Sequence, residues 1–193
     1  MVQLIGPKKI KTAVFISGTG SNLKNLIKFS KLKKSPITIS LILSNKRKAK
    51  GLRFAKIFKI KKKIFNFDKK RINEKEILML LKKNKINLIC LAGFMKILSK
   101  NFIKNFKGII LNIHPSLLPK FKGLNTHSRA IKNNEKYSGC TVHYVNSKLD
   151  SGKIILQKKI KIKKNDTPIN LAKRILVEEH RLYPKAILKV FNL

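Results

Sequence analysis

The hydrophobic positions of this chain fall into short apolar runs separated by polar, lysine-rich segments. Three runs rich in β-branched residues predict buried strands, at 12–17 (TAVFIS), 37–44 (ITISLILS) and 86–92 (INLICLA). Shorter strands are predicted at 63–66 and at the run from Gly108 to Leu111. Helical spacing or capping residues predict helices after Gly20, over 47–58, from 73–76 through Leu81, after Ser99 and before Asn133. This alternation predicts an α/β fold, a mostly parallel sheet flanked by helices.

The last third of the chain follows a different pattern. Two runs alternate apolar and polar residues in the way of half-exposed antiparallel strands, at 139–145 (GCTVHYV) and 153–162 (KIILQKKIKI). Thr167 and Pro168 have the cap and the first-turn proline that open a final helix. We therefore expect a single domain over 1–193, in which a C-terminal antiparallel strand pair extends the sheet and a final helix follows it.

The charge of the chain is strongly positive. It has 46 Lys and Arg residues against 8 Asp and Glu residues, for a formal net charge of +38. Such a field attracts polyanions. Only six of the basic residues are Arg, however, the residue that reads guanine and phosphate with a bidentate fork. Abundant Lys, Ile and Asn fit a general bias toward AT-rich codons, so the charge alone does not assign a nucleic-acid role.

Cysteine usage and the N-terminus bear on the compartment. Cys90 and Cys140 both lie in apolar runs, which favours small buried hydrophobes in a reducing cytoplasm over a disulfide or a metal site. The first residues lack the pattern of a secretory signal, and no apolar run approaches the roughly 20 residues that span a bilayer. We expect a cytoplasmic protein that needs no metal ion.

A glycine-containing turn, Gly18 to Asn22, joins the first strand to the first helix. Backbone N–H groups at a helix N-terminus, together with the helix dipole, form a cradle for an anion such as phosphate. The turn matches neither the dinucleotide fingerprint nor a Walker loop. The alternative is a generic strand-to-helix turn in which Ser21 or Asn22 caps the helix.

The segment from Leu111 to Pro119 (LNIHPSLLP) contains the most suggestive chemistry. Alternate residues of a strand share a face, so Asn112 and His114 are predicted to point into one pocket, and Pro115 ends the strand. An amide donor beside an imidazole can polarise a carbonyl group. The alternative is a structural histidine and a turn asparagine.

Ligand sites of parallel sheets lie at the carboxyl ends of the strands. The glycine turn, the 93–98 segment and the Asn112/His114 pair all lie at such ends, so we expect them to converge. Among the eight acidic residues, Asp150 lies in a loop near a glycine, and Glu178 and Glu179 form the only adjacent pair. Each of these acids could equally be an ordinary surface residue.

Five segments together resemble the phosphoribosylglycinamide formyltransferases, the folate-dependent enzymes of purine synthesis. They are ISGTGSNL (16–23), LAGFMKILS (91–99), LNIHPSLLPKFKGLNTH (111–127), GCTVHYVNSKLDSGKIILQ (139–157) and EEHRLYP (178–184). They occur in family order at family spacing along nearly the whole chain. The resemblance implies a Rossmann-like formyltransferase fold and transfer of the formyl group of 10-formyltetrahydrofolate to the amine of 5-phosphoribosylglycinamide.

The resemblance also implies roles for individual residues. Asn112 and the imidazolium of His114 would stabilise the oxyanion that forms from the formyl oxygen, and Asp150 would orient His114, keep it charged and assist proton transfer. The ribonucleotide phosphate would bind at Gly20, Ser21 and Asn22, and Glu179 would bind the reacting amine. The folate would contact a pocket formed by Lys70, Met95, Lys96, Ile97, Leu98 and Asn112.

Three positions depart from the family pattern. Lys96 and Lys70 stand where the family commonly has arginine, so contacts that need a guanidinium fork are in doubt. Asn125 replaces a residue that is often histidine. We expect small-molecule substrates, no membrane and no specific nucleic acid, and leave a monomer and a dimer both open.

Three alternatives remain. A methionyl-tRNA formyltransferase would explain the charge, but such enzymes normally carry an extra C-terminal domain and a different sequence at 122–127. A formyltetrahydrofolate hydrolase normally carries an extra N-terminal domain. A catalytically inactive, basic nucleic-acid-binding domain would not need Asn112, His114 and Asp150.

Overall fold

Seven strands form one mixed sheet in the computed structural model, which describes residues 9–65 and 74–193. The strands are β1 (Ile10–Ile16), β2 (Ile37–Ser44), β3 (Lys61–Ile64), β4 (Leu88–Leu91), β5 (Ile109–His114), β6 (Tyr137–Tyr144) and β7 (Ile154–Lys161). The α-helices are α1 (Ser21–Ser30), α2 (Arg53–Ile57), α3 (Glu74–Lys83), α4 (Lys100–Asn105), α5 (Thr126–Lys132) and α6 (Pro168–Val190). A 3₁₀ turn, Lys50–Leu52, precedes α2.

The sheet order is β3-β2-β1-β4-β5-β6-β7. The first five strands pair in parallel, whereas β6 and β7 add an antiparallel pair beside β5. Thr167 caps α6 by accepting from the backbone N–H of Asn170, and Pro168 follows it. The predicted α/β architecture, with its antiparallel pair and final helix, is confirmed.

Two hydrophobic layers sandwich the sheet. One contains Val14, Ile42 and Cys140 with residues of α1 and α6, and the other contains Phe15, Ile89 and Phe102 with residues of α3 and α4. Both cysteines are free and buried, as expected. Burial of the central strands on both faces explains why they appear in the sequence as continuous apolar runs.

The basic helix predicted over 47–58 is shorter than expected. Only a 3₁₀ turn and the five residues of α2 are helical there. A Cβ atom on Gly51 would lie 2.8 Å from Ile16 and 2.9 Å from the Cα of Gly20. The backbone of this segment is therefore pressed against the first strand-to-helix turn, a tertiary contact that helical spacing does not register.

Two strand predictions also need correction. The third strand was expected at 63–66 but begins at Lys61, and its three lysines are exposed at the sheet edge. Lysines at an edge oppose pairing with another sheet. The strand at 139–145 was expected to be half exposed, but Ser138 to His143 are all buried. One face of β6 meets the core with α6, and the other meets the segment 116–118. Asn73, expected to cap α3, lies outside the described residues.

Candidate active site

Asn112 and His114 lie two residues apart at the end of β5, as the alternation of that strand predicted. Asp150 reaches them from the loop between β6 and β7. Its Oδ2 lies 3.4 Å from His114 Nδ1, and its Oδ1 lies 3.5 Å from Asn112 Nδ2. The side chains of His114 and Asp150 are only 7% and 8% exposed. The structure thus brings the three predicted catalytic residues into one buried cluster.

Asp150 is held by the backbone around it. The N–H of Gly123 donates to Asp150 Oδ2 at 2.9 Å, and Asp150 itself has a positive φ of 44°. A non-glycine residue with this backbone conformation is uncommon and persists only where its surroundings stabilise it. The backbone conformation and the bond from Gly123 together orient the carboxylate.

Both ring nitrogens of His114 face oxygen atoms. Nε2 lies 2.9 Å from the carbonyl oxygen of Phe121, and Nδ1 faces the carboxylate of Asp150. The carbonyl can only accept, so Nε2 carries a hydrogen. A second hydrogen on Nδ1 would complete both contacts, and the doubly protonated imidazolium is the form that supplies it.

Side chains of β6 and β7 hold the segment that leads from β5 to Phe121. Thr141 Oγ donates to Ser116 O at 2.6 Å and accepts from the N–H of Leu118 at 3.1 Å. Gln157 Nε2 donates to Leu118 O at 2.8 Å. These bonds hold the segment after β5, so the loop that contacts His114 is anchored at its start.

His143 is a member of the cluster that the sequence prediction missed. It lies opposite Asn112 in the antiparallel β5–β6 pair, and its Nε2 is 3.2 Å from Asn112 Nδ2. Its Nδ1 is 2.8 Å from Tyr144 O and therefore donates, which leaves Nε2 to accept from the Asn112 amide. Burial lowers the pKa of His143, which favours this neutral form. A lone histidine within the apolar run GCTVHYV was the available signal.

The glycine turn has the backbone of an anion cradle. Gly20 adopts φ 75° directly before α1, and a Cβ atom there would lie 2.7 Å from the Cα of Gly51. No side chain caps α1, because Ser21 and Asn22 are already helical. The alternative in which one of them caps the helix is therefore wrong, and no side chain within 9–65 and 74–193 accepts from the N–H groups of the first turn.

Asn22 faces the final helix. Its Nδ2 donates to Glu179 Oε2 at 2.6 Å, and its own Oδ1 is buried with no hydrogen-bond partner among the described residues. Glu179 is 8% exposed, and burial raises its pKa to about 7, while the hydrogen bond from Asn22 opposes the rise. The neighbouring Glu178 instead pairs with Arg181 at the surface. The structure therefore joins two predicted substrate-binding residues from the two ends of the chain.

A pocket opens beside the cluster at the carboxyl ends of β4 and β5. Its walls include three groups of residues: Phe94 and Lys96 to Leu98 after β4, Asn112 and His143 on the sheet, and Val145 to Asp150 after β6. Ser17 at the end of β1 accepts from the N–H of Met95 at 2.8 Å. The predicted convergence of strand ends is confirmed for these segments.

The predicted folate contacts are only partly in this pocket. Lys96, Ile97, Leu98 and Asn112 line it. The side chain of Met95 is 57% exposed and is not among the lining residues, although its backbone anchors the segment to Ser17. Lys70 lies outside the described residues.

Two further findings concern the part of the chain that the structure describes. No group of three or more His, Cys, Asp or Glu side chains within 9–65 and 74–193 could hold a metal ion. None of the helices in these ranges has the length and hydrophobicity needed to cross a bilayer.

Comparison with known proteins decides the family. The model of the formyl transferase family matches residues 10–187. The chain belongs to this family. Phosphoribosylglycinamide formyltransferase of Haemophilus influenzae is 42% identical over 180 residues, which cover 92% of this chain and 85% of that protein. The resemblance seen in the sequence is therefore confirmed.

Solved structures and longer relatives agree with the assignment of this chain to the formyl transferase family. The crystal structure of phosphoribosylglycinamide formyltransferase from Brucella melitensis has a TM-score of 0.88 and 43% identity, covering 95% of this chain and 96% of that one. The human trifunctional purine biosynthetic protein adenosine-3 is 42% identical over 183 residues. The chain covers only 18% of the length of that protein.

Proposed function

We propose that this formyl transferase moves the formyl group of 10-formyltetrahydrofolate to the amine of 5-phosphoribosylglycinamide in purine synthesis. The observation that carries the proposal is the cluster of Asn112, His114 and Asp150, in which Asn112 and Asp150 line the pocket. The names of the relatives with matching length support the same substrates.

The amine nitrogen attacks the formyl carbon directly, so the carbonyl π bond opens and its oxygen becomes an oxyanion. Donors aimed at such an oxygen stabilise the transition state. Asn112 supplies amide hydrogens and His114 supplies an imidazolium hydrogen. Asn112 contacts His143 and His114 contacts Phe121 O, so in the proposal the formyl oxygen replaces these two contacts.

Collapse of the tetrahedral intermediate breaks the bond between the formyl carbon and the folate nitrogen. The attacking nitrogen loses a proton, and the leaving nitrogen gains one. In the proposal this proton passes through His114, directly or through water. The Nδ1 atom of His114 lies 3.4 Å from Asp150 Oδ2. Asp150 also attracts the imidazolium of His114, because opposite charges in a buried site interact strongly.

Each substrate has its own binding residues in the proposal. The ribonucleotide phosphate binds the backbone N–H groups of Gly20, Ser21 and Asn22, where the dipole of α1 is favourable. Glu179, beside Asn22, binds the amine. The pteridine of the folate enters the pocket lined by Lys96 to Leu98 and Asn112. The folate contacts of Lys70 and Met95 stay predictions from the sequence.

The comparisons do not favour the alternatives. The relatives of matching length carry the name phosphoribosylglycinamide formyltransferase, which describes neither a tRNA-modifying enzyme nor a hydrolase. The net charge of +38 remains the observation that would favour a nucleic-acid partner. We retain as predictions a single domain over 1–193, a cytoplasmic location and either a monomer or a dimer.

The test offers one formyl donor and three acceptors. The protein is incubated with 10-formyltetrahydrofolate and either 5-phosphoribosylglycinamide, methionyl-tRNA or water alone, and loss of the formyl group is followed. Turnover that requires the ribonucleotide supports the proposal. Faster transfer to methionyl-tRNA, or equal loss in water alone, contradicts it.

A further inference from the structure

Tyr183 is a completely buried residue of α6 for which the proposed reaction gives no role. Its hydroxyl lies 3.1 Å from the carbonyl oxygen of Leu111 and 3.2 Å from that of Leu91. Burial is the main cause that raises the pKa of this phenol well above its ordinary value, so the hydroxyl keeps its proton. A carbonyl can only accept, and the single O–H hydrogen is therefore shared between two strands.

The two carbonyl groups mark the end of a ladder. In the parallel pairing of β4 with β5, Leu91 and Asn112 form the last registered pair. Beyond this pair β4 ends and the 93–98 segment follows, while β5 continues to His114 beside β6. The end of a ladder is where strands separate most easily. The hydroxyl of Tyr183 bridges the strands at this point, on the peptide group that directly precedes Asn112.

The same helix also carries Glu179, the residue predicted to bind the amine of the ribonucleotide. Glu179 lies four residues before Tyr183, so both side chains project from one face of α6. Glu179 bonds Asn22 at the first turn of α1, and Tyr183 bonds the strand that carries Asn112. One helix thus contacts both the amine-binding carboxyl's partner on α1 and the strand that carries the oxyanion-binding amide.

We propose that the hydroxyl of Tyr183 is a positioning group. By bonding the carbonyl groups at the last pair of the β4–β5 ladder, it holds Asn112 at the correct position relative to the bound amine. The kinetic part of this inference rests on the proposed function. The structural part, that the hydroxyl closes the ladder end, does not.

The experiment compares wild type with Tyr183→Phe, which removes only the hydroxyl. Formyl transfer is measured at a temperature where circular dichroism shows both proteins fully folded. We expect kcat to fall about tenfold while both KM values change less than twofold, because misplacing a catalytic group by a fraction of an ångström affects the transition state most. An unchanged kcat, or a loss confined to KM, would overturn the positioning role.

Two control variants separate positioning from general destabilisation. Tyr137→Phe makes the same chemical change at an exposed residue of β6 and should leave kcat at the wild-type value. Cys90→Ala shortens a buried side chain beside Tyr183 but keeps the hydroxyl. It should lower the melting temperature without a tenfold loss of kcat. An equal loss of kcat in Cys90→Ala would attribute the effect to destabilisation and overturn the inference.

Hydrogen exchange tests the structural part without any assay of turnover. In wild type, peptides covering 88–92 and 109–114 should exchange as slowly as the centre of β1. In Tyr183→Phe they should exchange faster, while the centre of β1 does not change. Rapid exchange of the ladder end in wild type overturns the inference even if the variant fails to fold. If wild type shows slow exchange but no formyl transfer, the proposed function fails and the ladder closure stands.

Discussion

Glu179 gives a stability prediction whose size follows from the structure. Burial raises the pKa of its carboxyl from an ordinary 4.5 to about 7. Between these pH values the folded chain keeps a proton that the unfolded chain releases. Stability from this group is therefore fully present below pH 4.5 and is lost as the pH rises through 7. The ionised carboxylate then costs the native state about 3 kcal/mol, at 1.36 kcal/mol for each unit of pKa difference.

The perturbation is Glu179→Gln, which cannot ionise but keeps an oxygen that accepts from Asn22. Relative to wild type, its free energy of unfolding should rise by about 3 kcal/mol between pH 4 and pH 8. The variant should also bind the ribonucleotide more weakly, because the carboxylate proposed to hold the amine is lost. A substitution that removes a charge, stabilises the fold and weakens ligand binding is typical of a functional site.

Urea denaturation of wild type and Glu179→Gln at pH 4, 6 and 8 measures the difference. Other titrating groups are common to both proteins and cancel. Glu178→Gln is the matched control, because Glu178 pairs with an exposed Arg181 on the same helix and should show no gain at pH 8. A difference between wild type and Glu179→Gln that stays constant across this pH range would refute the reasoning.

Three further predictions concern the cluster and the glycine turn. His114→Ala should abolish turnover while calorimetry shows ribonucleotide binding close to wild type, and near-normal turnover would contradict the assigned role. Asp150→Asn should lower kcat roughly 100-fold, because its charge lies 3.4 Å from His114 in a buried site, where two unit charges attract by several kcal/mol. A kcat within threefold of wild type would remove Asp150 from the mechanism. Gly20→Ala should raise the KM for the ribonucleotide more than that for the formyl donor, because φ 75° and the backbone of Gly51 leave no room for a Cβ atom. Equal changes in both KM values would count against a phosphate site at this turn.

The central strands were predictable because burial leaves a local signal. The run at 37–44 corresponds residue for residue to β2, and Ser99 caps α4 as its position before Phe102 suggested. Both predictions depend on residues that are close together in the chain. An apolar run or a cap residue needs no knowledge of what packs on it.

Other features depended on contacts between distant segments and were predicted only in part. The edge strand β3 was expected, but two residues too late, because its sequence KKKI lacks the apolar alternation of a strand. It forms because its backbone pairs with β2, and its lysines remain in water. Likewise, the helix expected over 47–58 is limited by the close approach of Gly51 to Gly20.

The residues of the candidate site also differ in whether local sequence or distant contacts reveal them. The pairing of Asn112 with His114 on one face follows from the period of a strand, and the structure places both in the cluster. His143 required the register of β5 against β6, which brings residues 31 positions apart to 3.2 Å. The contact of Asn22 with Glu179 joins residues 157 positions apart and was equally hidden, although both residues were predicted individually.

The most direct test of the account follows an isotope-labelled formyl carbon from donor to product. Wild type and His114→Ala are each mixed with labelled 10-formyltetrahydrofolate and 5-phosphoribosylglycinamide, and the ribonucleotide is isolated for mass spectrometry. With wild type, one labelled formyl group should appear on the ribonucleotide for each donor consumed, and with His114→Ala almost none. Label recovered as free formate, or equal labelling by both proteins, would contradict the account.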